Sequence, residues 1–87
     1  MNSLPENWTL IEEYEGNFIF ENSNNSFCVN IDYIPACEYP YSVSFIQLKG
    51  QLNQIGTENG RYSTHSHIIQ EAYRKACEMM SFINQNV

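Results

Sequence analysis

Residues 66–86 read SHIIQEAYRKACEMMSFINQN, and this stretch decides the fold. Its apolar side chains fall at Ile69, Ala72, Tyr73, Ala76, Met79, Met80 and Ile83. Spacings of three, four and seven place them all on one side of an α-helix. Gln70, Glu71, Arg74, Lys75, Glu78, Ser81 and Gln85 take the other side. Thr64 or Ser66 is the expected N-cap, since a hydroxyl there satisfies an otherwise unpaired helical N–H. One apolar stripe needs one apolar partner surface, and the residues upstream supply it.

Working back from the helix, Tyr41 to Leu48 alternates, with Tyr41, Val43 and Phe45 on one face and Ser42, Ser44 and Ile46 on the other. Phe27 to Ile34 alternates most clearly, setting Phe27, Val29, Ile31 and Tyr33 against Cys28, Asn30, Asp32 and Ile34. Pro35 and Pro40 bracket a loop, because neither can donate to a strand ladder. Trp8–Tyr14 and Phe18–Glu21 read as a hairpin in which Gly16 supplies a positive φ. Beyond Gly50 the pattern weakens, with Leu52 and Ile55 able to anchor a short fifth strand and Gly56 and Gly60 marking a loop.

Short connections favour an antiparallel meander. The expected fold is therefore α+β, a four-stranded or five-stranded antiparallel sheet with one C-terminal helix on one face (ββββα). At 87 residues, 1–87 form a single small domain. Trp8, Leu10, Phe18, Phe20, Phe27, Val29, Ile31, Tyr33, Tyr41, Val43 and Phe45 make the apolar sheet face, and only the helix is available to cover it. No apolar run approaches the ~18–20 residues that span a bilayer. MNSLPENWTL has neither a basic start nor an apolar h-region, so a cytoplasmic location is the expectation. Cys28, Cys37 and Cys77 are an odd number without framework spacing and read as reduced thiols.

Charge is distributed unevenly. Lys49, Arg61, Arg74 and Lys75 are the only Lys and Arg residues, whereas Glu6, Glu12, Glu13, Glu15, Glu21, Asp32 and Glu38 all precede them. The net charge of −6 thus resides in the N-terminal half. Such a surface repels nucleic-acid phosphates and attracts a basic protein.

Residues able to carry chemistry are sparse. Cys28, Cys37, His65 and His67 lack the paired spacing of zinc ligands, so neither a metal nor another cofactor is expected. A Cys–His nucleophile would use Cys37, the most reachable thiol. Glu12 and Glu13 are neighbours in a strand, point to opposite faces and cannot share a proton. A non-enzymatic role is the expectation. The second sheet face, with Ile11, Glu13, Ile19, Cys28, Asn30, Asp32, Ser42, Ser44 and Ile46, has the mixed character of a contact surface.

Tyr41, Val43, Phe45, Leu48 and Gly50, followed by Thr64, Glu71, Ala72 and Ala76, resemble the strand-then-helix core of HicB-type antitoxins. That resemblance implies neutralisation of a small basic RNA-cleaving toxin. Ile46 and Lys49 stand where the family has prolines, the link to the helix is longer, and no strand follows it. The chain is not assigned to the family on this window.

Two functions are expected to compete. In the first, a small acidic inhibitor or immunity-type protein masks a basic site on a nuclease or nucleic-acid-binding protein. Glu12, Glu13, Glu15, Glu21, Asp32 and Glu38 would then carry the contact, with Ile11, Ile46 and Phe82 as apolar anchors. In the second, the chain is a structural or homodimeric module.

Overall fold

The computed structural model describes residues 4–48 and 61–86, excepting the side chains of 61–63 and 86. Five strands precede one helix: β1 (Trp8–Tyr14), β2 (Asn17–Asn22), β3 (Phe27–Tyr33), β4 (Tyr41–Gln47), β5 (Arg61–Ser66) and α1 (Ile69–Asn86). The strands form one antiparallel sheet in the order β1-β2-β3-β4-β5. Successive strands are neighbours, as short links require. The α+β meander with one C-terminal helix is the expected fold, with the fifth strand present.

Turn chemistry sets the first two strands. Glu15 (φ 48°) and Gly16 (φ 86°) are both left-handed, the geometry of a two-residue type I′ turn. Asn17 closes it, donating from Nδ2 to Tyr14 O at 3.1 Å. At the β2–β3 turn, buried Asn22 accepts from the N–H of Ser26 and of Phe27, each at 2.9 Å.

The core lies between the sheet and α1. Phe20, Val29, Ile31, Val43, Phe45, Met80 and Ile83 are almost or entirely sealed from solvent. Phe18 and Phe20 stack along β2, and the Tyr73 ring meets both edge-on at 6.3 and 5.7 Å. Lys75 donates from Nζ to His65 O at 2.7 Å, so the helix also occupies a backbone acceptor of the outermost strand, β5. Charged side chains at a free sheet edge discourage pairing with another chain.

Three expectations are corrected. The helix begins at Ile69, not Ser66: Ala72 N donates to Ile68 O, placing Ile68 at the N-cap. Thr64 and Ser66 pair with Val43 and Tyr41 inside β5. RYSTHS shows no apolar alternation because the edge strand needs little, so it does not read as a strand. Leu52, Ile55, Gly56 and Gly60 lie outside the described residues.

The second correction concerns β1. Its register passes from Leu10↔Phe20 to Glu12↔Ile19, leaving Ile11 as the extra residue of a β-bulge. Beyond the bulge the faces exchange. Glu13 now lies opposite Phe18 on the helix side and Glu12 opposite Ile19 on the outer side, the reverse of plain alternation.

The third concerns Tyr33. It belongs to the apolar face by parity but sits at the sheet end, and it is exposed.

Candidate functional site

Antiparallel pairing brings three connections together at one end of the sheet. They are the β1–β2 turn, the β3–β4 loop and the link from β5 to α1. Tyr14, Tyr33, Ile34, Tyr39 and Ile68 stand there. They are five of the eight exposed large apolar side chains among the described residues. Tyrosines at the rim of a domain present an apolar face and a polar tip, which suits them to contact surfaces.

Hydrogen bonds hold this end in shape. Asn17 Oδ1 accepts from Tyr33 N at 2.9 Å and ties the first turn to β3. Ile34 N donates to Pro40 O at 2.7 Å, closing the β3–β4 loop at its neck, and Cys37 N donates to Ile34 O inside it. Tyr33 packs on Tyr41 with ring centroids 5.0 Å apart. The Tyr39 ring lies 4.2 Å from that of His67, joining the loop to the link before α1.

The six predicted acids are not one patch. Glu15 and Glu38 sit in the turn and loop at the tyrosine end, and Asp32, next in sequence to Tyr33, lies on the outer face while Tyr33 takes the other. Glu12 follows one step along the outer face from Tyr14. Glu21 is at the opposite end, between Thr9 and Cys28. Glu13 is on the other side of the sheet, where it helps to raise the Tyr73 hydroxyl pKa after burial and the Cys77 thiol. The tyrosine-end connections contain no Lys or Arg.

The predicted anchors separate as well. Ile11 is exposed on the β1 bulge. Ile46 is half-buried on β4 beside Cys28, three strand spacings away, roughly 14 Å. Phe82, 43% exposed, borders a shallow depression on the helix with Arg74, Cys77, Glu78, Ser81 and Gln85. These three cannot grip one small feature together.

No family model, curated protein or solved structure matches the chain. The site is therefore argued from its own chemistry.

Asp32, Ser42 and His65 form a cross-strand row on the outer face. The order is wrong for a relay, which needs the imidazole between the carboxylate and the hydroxyl. Burial raises the Cys28 thiol pKa, with Glu21 and Asp32 adding to it, and Cys28 Sγ contacts Asn30 Oδ1 at 3.0 Å. Burial, then Glu78, raises that of Cys77. Both remain thiols at neutral pH, the poorly nucleophilic form. Among the described residues no three of His, Cys, Asp and Glu converge as a metal set, and no helix is long and apolar enough to cross a membrane.

Tyr14, Tyr33, Tyr39 and Ile34 are the surface residues that sequence reasoning missed. A signal was present. Tyr14 and Ile34 directly border the Glu15-Gly16 turn and the Pro35–Pro40 loop, Tyr39 lies within that loop and Tyr33 two residues before it, where a helix on the sheet centre gives no cover.

Proposed function

We propose that this chain is a non-enzymatic protein-binding module that masks a basic site on a nuclease or another nucleic-acid-binding protein. The observation that carries the reading is the tyrosine end, where exposed Tyr14, Tyr33 and Tyr39 stand among Glu12, Glu15, Asp32 and Glu38 with no cation in the same connections. Carboxylates there would speed encounter with a basic surface, and tyrosines would supply the dehydrated contact that holds it. Hydrogen bonds close the turn and the loop that carry them, so little backbone ordering would oppose binding.

The test is capture of a basic protein from native cells, followed by measurement of its nucleic-acid binding or cleavage with and without this chain. A Glu15→Gln/Asp32→Asn/Glu38→Gln variant should lose both capture and inhibition. Glu21→Gln, at the far end, should retain them. Inhibition that survives the triple change, or that does not weaken with added salt, refutes the electrostatic reading.

A further inference from the structure

Resting on that reading, we infer that the outer face of the sheet docks a basic amphipathic helix of the partner protein, laid across β1 to β4. The core and α1 lie on the other face, and among the described residues no helix or strand covers this one. A sheet with one open face ordinarily turns polar side chains outwards. Here the registers place aliphatic side chains in its middle. Ile46 stands directly opposite Cys28, and Ile19, whose partner is Asn30, lies diagonally from Cys28. Ile19 and Ile46 are half-buried and Cys28 is buried. The bulge lengthens this row, since Ile11 and Glu12 together oppose Ile19, and Ile11 is exposed.

Length and charge name the occupant. From β1 to β4 the row crosses three strand spacings, roughly 14 Å. Three turns of helix with apolar side chains at i, i+4, i+7 and i+11 cover about 16 Å. A helix also satisfies its own backbone, as burial on a sheet face demands, whereas an extended segment finds ladder partners only at an edge. Glu12 stands opposite Ile19 and Asp32 diagonally from it, both exposed, while β1 to β4 contain no Lys or Arg. Lysine or arginine along one flank of the helix would meet those carboxylates. Glu21, opposite Cys28 on the other flank, is half-buried. A second copy of the chain fits this face poorly. A twofold along β3 would set Asp32 on Asp32, and one along the Glu12–Ile19–Asn30–Ser44 row would set Glu12 on Glu12.

The experiment uses two synthetic peptides of about 14 residues, both of leucine and lysine in the same proportions. One places leucine at i, i+4, i+7 and i+11, and the other scrambles the order so that no face is apolar. Each is titrated into the full chain by calorimetry and by NMR. The expected result is about tenfold tighter binding of the first, with shifts at Ile19, Cys28 and Ile46. In an Ile19→Ser/Ile46→Ser variant, checked for folding by circular dichroism, the two affinities should converge. Glu12→Gln/Asp32→Asn, which leaves the apolar row intact, should weaken both peptides and flatten the salt dependence without changing their order. Equal affinity in the unaltered chain, an unchanged ratio in the folded isoleucine variant, or shifts confined to the tyrosine end overturns the helix but leaves the basic-partner reading standing. Binding of neither peptide at low salt overturns both. Sedimentation of the chain alone as a dimer that buries Ile19 and Ile46 would make a second copy the occupant, and that too overturns the inference.

Discussion

Trp8 donates from its indole Nε1 to Asn84 Oδ1 at 2.9 Å, and Asn84 returns the link through Nδ2 to Glu6 O at 3.0 Å. One amide on the last turns of α1 thus fastens the segment that enters β1, across 76 positions of sequence. Trp8 is buried, so its N–H has little access to water if that amide is lost.

Asn84→Ala should therefore destabilise the fold by about 1–3 kcal/mol, the cost of leaving a buried donor unpaired. Urea unfolding followed by Trp8 fluorescence reads it directly. A midpoint equal to wild type would mean that the clasp is ornamental.

Gly16→Ala meets two obstacles. A Cβ there would stand 3.1 Å from Tyr33 Cβ, and the φ of 86° disfavours any L side chain. We expect a loss of roughly 1–3 kcal/mol, together with altered NMR shifts at Tyr33. A stability gain, as from ordinary glycine replacement in a compatible turn, would contradict the geometry.

Ser66 separates the two readings of its position by sign. An N-cap serine replaced by alanine costs ~1 kcal/mol. Here Ser66 Oγ is fully buried and has no hydrogen-bond partner among the described residues. Ser66→Ala should leave stability unchanged or raise it by up to about 1 kcal/mol, because an unpaired hydroxyl is removed from the interior. Thermal denaturation decides between them.

The bulge at Ile11 makes a prediction about neighbouring carboxylates. Glu13 shares the helix side with Tyr73, and Glu12 does not. Glu13→Gln should lower the pKa of Tyr73, followed by NMR of labelled tyrosine, while Glu12→Gln should leave it in place. The opposite pattern would restore plain alternation along β1.

Stability should fall in alkali. The Cys28 and Cys77 thiols and the Tyr73 hydroxyl are all pushed up by burial first, from ordinary values of 9.0 for the thiols and 10.0 for the tyrosine. Below those values both the folded and unfolded chains keep the protons, so nothing changes. As pH rises through them the unfolded chain releases protons that the folded one retains, and the balance shifts towards unfolding. Tm should hold level to roughly pH 8 and drop above about pH 9. A Cys28→Ala/Cys77→Ala variant should show a shallower drop. An identical slope in the variant would remove the thiols from the account.

Local pattern was enough for most of the architecture. The helix stripe, the four alternating strands and the Gly16 turn depend on neighbours within a few residues, where side-chain periodicity and backbone sterics act directly. β5 was not legible, since RYSTHS becomes a strand only through its pairing with β4. The same holds for Glu13, whose face depends on a register shift that no local propensity encodes.

What the sequence by itself determined is the class of fold, the helix that covers it and an acidic N-terminal half. These follow from hydrophobic period and formal charge, which are properties of the chain. Only the tertiary structure decided which acids belong together. Burial and strand pairing sent Glu13 to the helix side and Glu21 to the far end, and left Glu15, Asp32 and Glu38 at the end of the sheet that also carries Tyr14, Tyr33 and Tyr39. The physical reason is distance. Electrostatic and ring contacts act over a few ångströms in space, and residues far apart in sequence meet only when a sheet folds three connections to one end.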